Sequence, residues 1–82
     1  MFTKESLMGT LKRFGKVRLI VYGGDHGRIH FHLEGPDLRC SLDLETLEVL
    51  AGEAPPHILR LVRDWIKENR QVVETAWQEW NA

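Results

Sequence analysis

The stretch Arg28-Ile29-His30-Phe31-His32-Leu33-Glu34 decides how this chain is read, because apolar and polar residues alternate along its whole length. In an extended strand successive side chains point to opposite faces. Ile29, Phe31 and Leu33 therefore share one face, and Arg28, His30, His32 and Glu34 share the other. This is the pattern of a half-buried strand that carries its histidines on the polar side. Such a strand needs antiparallel neighbours, and both flanks supply them. Upstream, Lys16 to Tyr22 is rich in β-branched and aromatic residues, and Gly23-Gly24-Asp25-His26-Gly27 gives the glycine-dense break of a chain reversal. Downstream, Glu34-Gly35-Pro36-Asp37 reads as a turn. Leu38, Cys40, Leu42 and Leu44 then alternate with Arg39, Ser41 and Asp43 in a third strand. Glu45-Thr46-Leu47 turns once more into a short strand around Glu48 to Leu50.

The character changes at Gly52. Pro55-Pro56 marks the first turn of a helix, where a missing N–H is no loss. Ile58, Leu59, Val62, Trp65 and Ile66 follow the helical period, with Arg60, Arg63, Asp64 and Lys67 on the opposite side. A second set, Val72, Val73, Ala76, Trp77 and Trp80, lies almost in phase with the first. One kinked helix or two helices parting near Asn69-Arg70 both fit, and the break is preferred. At the other end Leu7, Met8, Leu11 and Phe14 have helical spacing that Gly9, Thr10 and Gly15 weaken. The expected fold is α+β: an antiparallel sheet of three to four strands with one or two C-terminal helices on its apolar face.

With 82 residues there is room for one core, so residues 1–82 are read as a single domain. The lone cysteine, Cys40, cannot form an internal disulfide. No basic start leads into an apolar run of the signal-peptide kind, and the longest apolar stretch, Leu19 to Tyr22, is far short of the ~20 residues of a membrane span. A cytoplasmic, membrane-free protein is the expectation. Net charge is −1, but residues 1–40 sum to +3 and residues 41–82 to −4. An ordinary solvated surface explains this split. A mildly basic sheet meeting nucleic acid or an acidic partner is the sharper alternative.

Chemistry concentrates in Asp25-His26, Arg28, His30 and His32. Residues i and i+2 of a strand project from one face, so His30 and His32 can aim two imidazoles at one point, and His26 in the preceding turn can close over it. Three nitrogens suit a divalent metal such as zinc, with Asp25 as a ligand or as an acceptor that fixes a tautomer. No ligand motif of the H-E-x-x-H or C-x-x-C kind accompanies them. The same geometry serves metal-free acid–base chemistry on an RNA 2′-hydroxyl, with Arg18, Arg28 or Arg39 holding the phosphate. A polar sheet face that packs against the N-terminal segment or a partner accounts for the same residues without any chemistry. Trp65 and Trp77 read as core, Trp80 as core or surface, Cys40 as an inert buried thiol and His57 as surface.

Asp25-His26, His30-Phe31-His32-Leu33, the Leu42 to Gly52 segment LDLETLEVLAG, Pro55, Trp65 and Trp77 together resemble the small bacterial domain-of-unknown-function family 4160. Its pattern is D-H-x-P-P-H-F-H-V, then a D-I-E-T-G-E-V-L-x-G hairpin and a tryptophan-bearing helical tail. Two departures stand out. Arg28 and Ile29 replace the prolines, which loosens the loop carrying His26, and Leu47 replaces the hairpin glycine, which alters that turn. Thr10 to Gly15 echoes an opening T-I-x-R-F-x-G segment, which pulls the N-terminal expectation toward a short strand. The resemblance also implies a small protein partner encoded nearby, in arrangements like toxin–antitoxin pairs. The function expected is thus an interaction module binding a partner through its histidine-bearing face; a histidine-dependent ribonuclease and a metal-binding module are the alternatives.

Overall fold

The computed structural model describes residues 8–23 and 27–81. Five strands are followed by a helix: β1 (Met8–Phe14), β2 (Val17–Tyr22), β3 (His30–Gly35), β4 (Leu38–Asp43), β5 (Val49–Glu53) and α1 (Pro56–Trp80). The sheet is an antiparallel meander in the order β1-β2-β3-β4-β5. Five strands replace the expected three to four. The N-terminal stretch forms a full edge strand, because pairing with β2 satisfies its backbone and overrides the helical spacing of Leu11 and Phe14. A β-bulge reconciles the two patterns. The register steps from Thr10 opposite Ile20 to Lys12 opposite Leu19, and the extra residue, Leu11, packs against the core.

Alternation in β3 holds as read. Phe31 and Leu33 are fully buried, while His30, His32 and Glu34 on the opposite face are half-buried. Leu19 and Val21 of β2 and Cys40 and Leu42 of β4 join Phe31 and Leu33 beneath α1, which adds Val62, Ile66, Val73 and Ala76. Burying each large side chain of this set contributes about 1.5 to 3 kcal/mol. Trp65, Trp77 and Trp80 are partly buried against the same cluster. Trp65 meets Phe14 edge to face at 6.3 Å, and Trp80 lies so close over Gly9 that an added Cβ would sit 2.9 Å from the indole nitrogen.

One 25-residue helix covers the sheet, within the expected one or two, and it kinks where the sequence placed a break. Asn69 has non-helical angles (φ −133°, ψ 23°). Its side-chain amide donates to the Trp65 carbonyl at 2.9 Å, the i−4 acceptor of the helical ladder. At the end of α1 the Asn81 amide donates to the carbonyls of Trp77 and Tyr22, tying the helix to the end of β2.

The β4–β5 turn carries the altered position. Leu47 has φ +64°, a left-handed conformation that glycine adopts without cost, yet its side chain is only 8% exposed. Burial holds a leucine there. Gly52 answers a different demand, since at φ +77° an added Cβ would lie 2.1 Å from the Arg39 carbonyl oxygen.

Candidate functional site

The sheet face opposite α1 is organised by register into rows. The first crosses all five strands: Arg13 faces Arg18, Arg18 faces Glu34, Glu34 faces Arg39 and Arg39 faces Glu53. The second runs Thr10, Ile20, His32, Ser41, Ala51, with Ile20 fully buried at its apolar centre. Near the third, Tyr22 closes β2 and His30 faces Asp43. Strand geometry therefore places His30 and His32 on this face beside tyrosine, serine, arginine and two carboxylates.

The rings interlock. His30 and His32 have centroids 5.2 Å apart, and Tyr22 meets His32 edge to face at 4.7 Å and 88°. His30 Nδ1 lies 2.8 Å from the Arg28 carbonyl. A carbonyl only accepts, so Nδ1–H donates and the neutral ring holds its lone pair on Nε2. The Tyr22 hydroxyl donates to Glu34, and Arg18 lies 3.6 Å from the other Glu34 oxygen. Burial, followed by the hydrogen bond and charge of Glu34, raises the Tyr22 phenol above its ordinary value. A shallow groove of about 370 Å³ runs along these residues, lined among others by Tyr22, His32, Glu34, Arg39 and Ser41.

Asp43 anchors the end of the face. It is 1% exposed, and its Oδ1 accepts from the backbone N–H groups of Glu45 (2.7 Å) and Thr46 (3.0 Å) while Oδ2 pairs with Arg28 Nε. The Thr46 N–H bond is the largest influence on its carboxyl. With the Glu45 N–H and Arg28 it outweighs burial and holds the group below the usual carboxylate range. Arg28 is thereby held beside His30, although most of its own side chain is exposed. Cys40 is buried, and burial raises its thiol, which fits an inert core cysteine. His57 is exposed.

The structure thus brings Arg28, His30 and His32 together. Asp25 and His26 lie outside the described residues, and with them the three-histidine arrangement. Among the described residues no group of three histidine, cysteine or acidic side chains is placed to hold a metal ion. His30 and His32 offer two nitrogens, and a zinc site asks for three or four ligands. Among the described residues, no helix is long and apolar enough to cross a membrane. Alternation puts Asp43 on the polar side of its strand without marking it as a site residue, and Tyr22 stands out in the sequence only as part of a β-branched and aromatic run. Asp43 carried a usable signal, an aspartate opening a turn, where its side chain caps backbone N–H groups two and three residues on. Tyr22 carried none, since its contact with His32 follows from the β2–β3 register.

Neither the curated proteins nor the solved structures include a match to this chain. The chain belongs to the family described as a domain of unknown function (DUF4160), whose model matches residues 16–78, from the start of β2 almost to the end of α1. The Thr10 to Gly15 echo falls outside the matched span.

Proposed function

We propose, with that family membership as the premise, that this protein is an interaction module of toxin–antitoxin type that binds a partner protein through its histidine-bearing sheet face. The observation that carries the reading is the asymmetry of the sheet. One face is closed by α1. The other presents half-buried His30 beside a groove that half-buried His32 and Tyr22 and exposed Arg39 help to line. Aromatic and arginine side chains set among polar neighbours are what protein interfaces favour. The interlocked rings are already ordered, so little side-chain entropy is lost when a partner docks. A bacterial, cytoplasmic setting with the partner encoded nearby completes the proposal. Co-expression with the neighbouring gene product, followed by size-exclusion chromatography, tests it. A stable complex that a His32→Ala variant weakens is expected, and a lone monomer sinks the reading.

A second reading draws on the 5.2 Å approach of His30 and His32 with Arg28 held alongside. Two imidazoles of opposite protonation could serve as base and acid in RNA cleavage, with an arginine on the phosphate. Incubating cellular RNA with the protein and its His30→Ala variant separates the readings, because equal absence of cleavage eliminates the nuclease.

A further inference from the structure

The hairpin of β1 and β2, residues 8–22, carries Lys12, Arg13, Lys16 and Arg18 and no acidic residue. Its register sets Arg13 directly opposite Arg18. Like charges in that relation destabilise a strand pair. Glu34, on the far side of Arg18, offsets one positive charge, at 3.6 Å. The β1–β2 and β3–β4 turns lie at the same end of the meander. There Lys16, Arg18 and Arg39 line a hollow of about 280 Å³ together with Glu34, Gly35 and Pro36. Arg13, Lys16 and Arg39 are exposed. The local excess is positive even after Glu34 and the neighbouring Asp37 and Glu53 are set against it.

We propose that this end of the sheet face recognises an acidic segment of a partner protein, its carboxylates seated among Arg13, Lys16, Arg18 and Arg39. The inference rests on the binding reading above and names the chemistry of the partner. A bound carboxylate between Arg13 and Arg18 relieves the repulsion that the strand register builds in. Nucleic acid fits less well. Glu34 stands between Arg18 and Arg39, where the regularly spaced charges of a phosphate chain meet a like charge, whereas a peptide can place its carboxylates to either side of it. The Tyr22 ring is already engaged, in a T-shaped contact with His32 and through its hydroxyl with Glu34.

The test uses fluorescence anisotropy of the full chain with two labelled probes, an oligoglutamate peptide and an oligouridine of matched charge, across a salt series. Oligoglutamate is expected to bind more tightly than oligouridine and to weaken as salt rises. Lys16→Glu and Arg13→Glu are each expected to lower its affinity about tenfold. Arg13→Glu also supplies an independent readout. It replaces a like-charge cross-strand pair with an opposite one, so its melting temperature stays level or rises while binding falls, which a folding defect cannot mimic. Tighter binding of oligouridine, no binding of oligoglutamate at low salt, or unchanged affinity in both variants overturns the inference. If a co-expressed partner is retained fully by Lys16→Glu and Arg13→Glu, the acidic-segment inference falls while the binding reading stands. If the parent protein captures no partner, the binding reading falls.

Discussion

Asp43→Ala removes the buried carboxylate that fastens the β4–β5 turn. Two backbone donors, those of Glu45 and Thr46, lose a charged acceptor at 2.7 and 3.0 Å. Hydrogen bonds to charged groups are worth about 1.5 to 3 kcal/mol each, and both turn residues are exposed enough for water to replace part of that. The ion pair with Arg28 adds less than about 1 kcal/mol, because the Arg28 side chain is 64% exposed. The expected loss is roughly 2 to 4 kcal/mol. A core of this size supplies only about 3 to 5 kcal/mol, so the variant should sit near its unfolding midpoint. Urea titration followed by tryptophan fluorescence reads this directly; with a slope near ~1 kcal/mol per molar, the midpoint falls by ~2 M or more. Asp43→Asn keeps an acceptor for both N–H groups and should lose about half as much. An alanine variant within ~0.5 kcal/mol of the parent, or an asparagine variant as damaged as alanine, would refute the assignment of the stability to capping. The pH dependence follows the same carboxyl. Its folded pKa is depressed, so its contribution is complete above the unfolded value near ~3.9 and is lost as pH falls through the folded value. Below about pH 4 the parent should lose urea resistance more steeply than Asp43→Ala.

Three further substitutions and titrations probe other parts of the fold. Leu47→Gly relieves a left-handed backbone worth about 1 to 2 kcal/mol but deletes a buried leucine worth about 2 to 5, so chemical denaturation should show a net loss; a more stable variant would mean that the side chain is not held by the core. Gly52→Ala forces a Cβ against the Arg39 carbonyl at a positive φ and should cost roughly 2 to 4 kcal/mol on thermal melting, with loss of the Cys40–Gly52 pairing in amide spectra. Tyr22 is the single tyrosine, so tyrosinate absorbance reports it alone: ionisation should begin above the ordinary ~10, and Glu34→Gln should bring it down. Because the folded value is raised, that interaction stabilises the fold below ~10 and is lost at higher pH.

The sequence by itself determined the meander from β2 to β4 and the helix that covers it. Strict alternation in Arg28 to Glu34 and in Leu38 to Asp43 leaves only one register in which the apolar set is buried, and the 3.6-residue period after Pro55 leaves one face of α1 to meet it. It also put His30 and His32 on the side away from the core, and located the helix kink at Asn69, where an amide side chain competes for a helical carbonyl. The tertiary structure decided what depends on pairing between distant segments. Whether residues 8–14 form a strand rests on β2 as a template, since their own spacing is ambiguous and a bulge at Leu11 hides the alternation. That Leu47 tolerates a positive φ is decided by its burial, which no local propensity encodes. The neighbours of the two histidines were set in the same way. Asp43 stands opposite His30, and Tyr22 meets His32, only because antiparallel strands bring residues far apart in the chain side by side. The row of Arg13, Arg18, Glu34, Arg39 and Glu53 is invisible in a linear reading for that reason, as its members come together only across the strands.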